Sequence, residues 1–346
     1  MHISPITKNW PVLKALIAGL TLVLVISACS SSSADARAPT ATYSAPSNDQ
    51  ALSQPPATSA PVEQSVVANF VEVENWMDDQ NPGILWASPN GIAFDNSGNL
   101  YTTEFQGNRV RKFGSQGELL LEWVGSGFEN GQFDSPTGIA ISPAGNVFVS
   151  ESGNHRIQKF TPEGEWIATF GSLGRKDGQF ESAMVLAISD ENLVYVTDWG
   201  GGRINVFTTN GDVVGSLLEW GQEPGKLSNP TGIKVGPDGN LWVVDRGNNR
   251  IQRFTPDGDL VSRWGQLGDA PGQFTTPTSI NFDSEGNFAI SETRGNRIQR
   301  FDQGGKLLDE VAPGTFTNPH GLAFDDSGAL YVADTGNHTV RKFVAE

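Results

Sequence analysis

The chain has 346 residues, with 39 acidic and 23 basic side chains and a formal net charge of −16. A surface of that sign repels a polyphosphate backbone, which argues against nucleic acid as a partner. Gly contributes 40 residues, about 12% against a usual ~7%, while apolar residues reach only 37%, a balance that favours many short strands and tight turns over helices.

Residues 1–28 read as an export signal. Lys8 and Lys14 precede an uncharged, mostly apolar run from Ala15 to Ala28. Fourteen residues are too few to span a bilayer, which takes ~20, but they suit a signal-peptide core. The run ends Ile26-Ser27-Ala28-Cys29, which resembles the bacterial lipobox. That resemblance implies cleavage after Ala28, a mature charge of −18 and acylation of Cys29, the only cysteine. A lone cysteine also excludes an intrachain disulfide and a cysteine-built metal site. Ser30 follows, not Asp, which would favour the outer membrane in a Gram-negative host. Residues 29–67 are rich in Ser, Ala, Pro and Thr and lack the apolar content to offset ordering entropy, so a flexible tether is expected there.

Residues 68–346 are filled by a repeat. Pro89, Pro136, Ala183, Pro230, Pro277 and Pro319 mark equivalent positions at steps of 47, 47, 47, 47 and 42 residues. Each mark is followed by a short apolar strand, starting at Gly91, Gly138, Val185, Gly232, Ser279 and Gly321, and a Gly turn leads to a second strand ending in an acid: Glu104, Glu151, Asp198, Asp245, Glu292 and Asp334. A Gly/Asn loop leads to a third strand ending in Phe113, Phe160, Phe207, Phe254, Phe301 and Phe343, and a further turn opens a fourth. Four short strands per 40–50 residues predict a propeller blade, and six copies predict an all-β, six-bladed β-propeller. The sixth copy lacks its fourth strand, because the chain ends at Glu346. Phe70–Trp76 has the phase of a fourth strand with nothing before it, since Trp76 precedes Pro89 by the same 13 residues that separate Trp123 from Pro136. It is therefore expected to complete the last blade and close the ring.

Units such as SPTGIAISPAGNVFVSESGNHRIQKF, Ser135 to Phe160, resemble NHL repeats, including the Asn-His loop. The resemblance covers residues 70–346 and implies the propeller fold. On function it is broad, because NHL propellers include RNA binders, interaction modules, a metal-dependent amidating lyase and extracytoplasmic sensor domains.

Three residue sets are expected on one face. Asn90, Thr137, Met184, Thr231, Thr278 and His320 stand beside the central channel, the acids form a ring, and long loops precede each marker. Five acids are followed five residues later by an arginine: Arg109, Arg156, Arg203, Arg250 and Arg297, with Thr339 in the sixth repeat. A pair repeated in every blade reads as a structural charge-assisted bond and not as a metal or catalytic ring. His155 and His338 share one loop position and read as ordinary repeat variation. His320 resembles the Pro-His step of the amidating lyase, whose zinc needs three histidines; the equivalent positions supply none. Lactonase-type and antibiotic-inactivating propellers also use channel carboxylates and a divalent cation, and no such carboxylate departs from the repeat at the channel mouth. No cofactor or metal is therefore expected. Phe105 and Trp199 fall on a loop position and read as exposed aromatic contacts, whereas Trp123, Trp166, Trp220, Trp242 and Trp264 fall in strand patterns and read as core. The leading expectation is a monomeric, lipid-anchored scaffold on the cell envelope, binding a protein or small ligand through Asn90, Thr137, Thr231, Thr278, His320, Phe105 and Trp199. The alternative is a metal-dependent lyase or hydrolase in the same channel.

Overall fold

A computed structural model describes residues 70–73 and 81–346. The export signal, Cys29 and the tether lie outside the described residues, as does Trp76. Six four-stranded antiparallel sheets follow one another along the chain. Blade 1 runs Pro89–Phe94, Leu100–Glu104, Arg109–Phe113 and Leu119–Val124, from the inner strand outward, and blades 2 to 5 repeat that order. The inner strands are Pro89–Phe94, Pro136–Ile141, Ala183–Ile188, Ile233–Val235, Pro277–Phe282 and Pro319–Phe324.

Blade 6 is completed from the other end of the chain. Phe70–Glu72 pairs antiparallel with Thr339–Ala345, matching Phe70 with Ala345 and Glu72 with Phe343. The two ends are clamped further by Arg341, whose Nε donates to Glu72 Oε1 at 2.7 Å. Closure of this kind removes the free sheet edges of an open array.

The core lies between blades. Ile92, Leu100 and Phe113 of blade 1 pack with Ala323, Tyr331 and Val340 of blade 6. Phe133, Ile139 and Val149 of blade 2 pack with Tyr101 and Val110 of blade 1. The third residue after each marker is an Ile or Leu no more than 7% exposed, so the strand alternation does bury one face.

A second device holds the inner strands together. In four blades the residue before the last one in the second strand carries a hydroxyl, at Thr103, Ser150, Thr197 and Ser291. It accepts the N–H of the third inner-strand residue, as at Gly91 N to Thr103 Oγ1, 2.8 Å. It also donates to a carbonyl of the next blade, as at Thr103 Oγ1 to Thr137 O, 2.8 Å, and Thr197 Oγ1 to Thr231 O, 2.6 Å. Each insertion coincides with a bulge in the inner strand. Val244 replaces the hydroxyl in blade 4, and the backbone pairs there directly, Val244 N donating to Gly232 O at 2.8 Å. Ala333 replaces it in blade 6, where Thr335 Oγ1 reaches Pro89 O at 2.5 Å across the closing seam.

Two tryptophans depart from the expected core. Trp166 is 42% exposed because it lies on the outermost strand of blade 2, where no further sheet covers it. Trp220 is 61% exposed because it falls beyond the last strand of blade 3, in a loop bridged only to Leu227. Trp242 is buried, and Trp123 and Trp264 pack against the inter-blade clusters.

Candidate functional site at the channel mouth

Marker positions and acids meet at one end of each blade, since Pro89 pairs with Glu104 and Pro319 with Asp334. That end carries the mouth of the channel. The structure places five of the channel set inside the inner strands, at their second residue, while Thr231 stays ahead of its strand, Ile233–Val235.

The six acids are fully buried and occupied. Arg109 Nη2 lies 2.8 Å from Glu104, and the Nε of Arg156, Arg250 and Arg297 each lie 2.7 Å from Glu151, Asp245 and Glu292. Arg203 lies 3.2 Å from Asp198. Blade 6 has no arginine at the usual spacing, and Arg341, two residues later, takes the role at 3.1 Å from Asp334. Every acid also accepts a backbone N–H from the loop before its marker, from Ala87 at 2.6 Å in blade 1 to Thr317 at 2.9 Å in blade 6. The arginines donate onward to carbonyls of the same loops, as Arg156 does to Phe128 O at 2.6 Å. Each pair thus spans strand, loop and strand.

The channel positions divide. The hydroxyls of Thr137 and Thr278 are taken by their own loops, at 3.0 Å to Ser135 O and 3.3 Å to Thr276 O. Thr231 is fully buried, and its Oγ1 has no partner. Phe105 and Trp199 are 38% and 39% exposed on their loops. Asn90 and His320 are brought together across the closing seam, with Asn90 Nδ2 3.3 Å from His320 Nδ1. With Asn90 donating, Nδ1 accepts and the ring proton sits on Nε2. Burial, and then the positive charge of Arg246, push the His320 pKa down to about 4, so the imidazole is neutral at pH 7.

Four residues at the channel escaped the sequence reading. Arg246 follows the acid of blade 4 and Arg294 lies on the equivalent loop of blade 5. Burial, then the Arg294 charge, lowers the Arg246 pKa. Lys234 and Asn281 occupy the fifth inner-strand position, which is Ala in the other four blades, at Ala93, Ala140, Ala187 and Ala323. Their departure from the repeat was the signal that could have found them. Among the described residues, Lys234, Arg246 and Arg294 pair with no carboxylate. The channel wall contains no Asp or Glu. Lys234 is thus the one charged side chain among these lining residues, in a chain of net charge −16.

A divalent cation does not fit this donor set. Among the described residues no three His, Cys, Asp or Glu side chains converge on one point. His320 stands alone among neutral positions, and the nearby Arg246 would repel a cation.

The sequence matches the model of the virginiamycin B lyase family over residues 86–342. No curated protein sequence matches the chain. Among solved structures, a streptogramin B lyase is 18% identical, aligned over 82% of this chain and 100% of its own, with a TM-score of 0.56. Virginiamycin B lyase from Staphylococcus aureus is also 18% identical, over 80% and 99%, with a TM-score of 0.55. A Xanthomonas campestris gluconolactonase is 18% identical, over 76% and 86%, with a TM-score of 0.60. At that identity these structures support the six-bladed fold alone. The likeness of single blades to NHL repeats stands as a resemblance only; by its own sequence match, the chain belongs to the virginiamycin B lyase family.

Proposed function

We propose that the protein is a small-molecule enzyme of lyase or hydrolase type, acting on a carbonyl-containing substrate such as a lactone or cyclic ester at the channel mouth, and held outside the cytoplasm by lipid on Cys29. The observation that carries this reading is the grouping of His320, Asn90 and Arg246 where the repeat symmetry breaks. Asn90 fixes the Nε2–H tautomer, so His320 presents a hydrogen-bond donor at neutral pH. Arg246 adds a fixed positive charge beside it. Together they stabilise negative charge developing on a carbonyl oxygen, the role that preorganised donors play in an oxyanion hole. Phe105 and Trp199 then serve as apolar contacts of the substrate. Membership in a lyase family supports an enzyme over the non-catalytic scaffold expected from sequence.

The test is turnover of a panel of lactones and of virginiamycin B and quinupristin, the compounds that the names of the similar structures suggest. His320→Gln and Arg246→Met should each lower kcat/KM by about 10²–10³, the usual effect of removing one such donor, with the melting temperature unchanged. Unaltered turnover in both variants would defeat the reading.

A further inference from the structure

The channel continues past the mouth. Three residues of extended strand, about 10 Å, separate the second inner-strand position from the fifth. There the channel opens into a cavity of about 240 Å³ at the far ends of the inner strands. Most of its lining side chains are apolar, Ala93, Ala140, Ala187 and Ala323 with Phe94 and Phe324 at the far end, while polar atoms make up the larger part of its exposed surface. Two polar residues stand among them, Lys234 and Asn281, from adjacent blades.

Their hydrogen-bonding states differ. Asn281 is anchored, with Nδ2 donating to Leu322 O at 3.1 Å and Oδ1 accepting from Phe282 N at 2.8 Å, which leaves one amide hydrogen unused. Lys234 makes no hydrogen bond or ion pair with any described residue. It lines both the upper and the lower part of the channel. Every blade with Ala at this position leaves room where a longer side chain would stand, and blade 4 alone fills that room with a cation. An unpaired ammonium withdrawn from water is costly, and the cost is offset by an anion or by loss of the proton.

We propose that the lower half of the channel binds a short amphipathic organic acid, its carboxylate on Lys234 and the free amide hydrogen of Asn281 and its hydrocarbon part against the alanine and phenylalanine wall. The cavity dimensions hold several waters or one such acid. The single cation selects one negative charge, and the alanine and phenylalanine side chains offer contact to a hydrocarbon part that an inorganic anion lacks. The lowered pKa of Lys234, caused by burial with no opposing charge, agrees with a site that lacks its counter-ion. This site is separate from His320 and does not rest on the enzymatic reading.

Calorimetric titration of the full chain with hexanoate, hexanol and inorganic phosphate tests it. Hexanoate should bind at least tenfold more tightly than either of the others. Lys234→Met, which keeps length and removes charge, should weaken hexanoate at least tenfold and leave hexanol unchanged. Should that variant not fold, acetylation of the wild-type lysines gives the same information: hexanoate should protect Lys234 and not Lys306. No hexanoate binding, phosphate binding as tight as hexanoate, or affinity and protection independent of Lys234 would each overturn the proposal. None of these results bears on turnover at His320, so the two readings fail separately.

Discussion

His320 shows how one substitution in a repeat acquires chemistry from its surroundings. Its position is occupied in other blades by Asn, Thr or Met, side chains that do not titrate. Placing an imidazole there, beside Asn90 and within the field of Arg246, gives a ring that stays neutral well below its usual pKa of 6.5. The consequence for stability has a definite sign. Below pH 6.5 the unfolded chain takes up a proton that folded His320 refuses until about pH 4, so its contribution is complete above pH 6.5 and is lost as the pH falls towards 4. At pH 5 the cost is up to about 2 kcal/mol, a few degrees in a chain of this size. Wild type should therefore lose more melting temperature between pH 7 and pH 5 than His320→Gln does. Parallel pH slopes would place a freely titrating, solvated imidazole at this position. The residue scale was only half legible in the sequence. His320 stood out because histidine is rare. Lys234 and Arg246 did not, because lysine and arginine are common in the chain, 23 in all, and are mostly solvated surface residues. The seam contact between Asn90 and His320 joins residues 230 apart in sequence, and no local pattern announces it.

At the scale of strands and loops the sequence was far more informative. The marker, the acid and the terminal Phe recur in register, so strand order and the closing role of Phe70–Glu72 followed from counting. The exposure of Trp166 and Trp220 did not follow, because an outer strand alternates like an inner one but has nothing beyond it to pack against. The third inner-strand residue was also overlooked. It is Gly in four blades, and the reason is the close approach of neighbouring inner strands. A Cβ on Gly321 would lie 2.1 Å from Asn90 O, and one on Gly91 would lie 2.6 Å from Thr137 O. Backbone oxygens cannot yield as a flexible side chain can. Gly321→Ala should therefore push blades 6 and 1 apart and destabilise the protein by about 2 kcal/mol or more, in the range of core overpacking. Gly304→Ala, in an exposed turn where only an Asp302 oxygen comes near and at 3.3 Å, is the matched control and should change little. Equal melting temperatures for the two variants would mean that the seam is looser than drawn here.

The whole molecule is a ring whose symmetry serves stability and whose departures from symmetry converge on the channel. Acid–arginine pairs, hydroxyl insertions and apolar inter-blade clusters recur around it. Lys234, Arg246, Asn281, Arg294 and His320 do not recur, and all lie in blades 4 to 6. Blades 1 to 3 carry Asn90, Thr137, Phe105 and Trp199, and Asn90 meets His320 across the closing seam. The ring carboxylates that suggest a cation site in the sequence are consumed by arginines, and the charge that acts on His320 is that of Arg246. The central claim is that this family member stabilises negative charge with His320 and Arg246, where other propellers use carboxylates and a divalent metal. The most direct measurement is a native mass spectrum of the purified protein after equilibration with magnesium, calcium or zinc, for wild type and His320→Gln. The account predicts no stoichiometric ion in either spectrum. One divalent ion per chain in wild type, lost in His320→Gln, would contradict it.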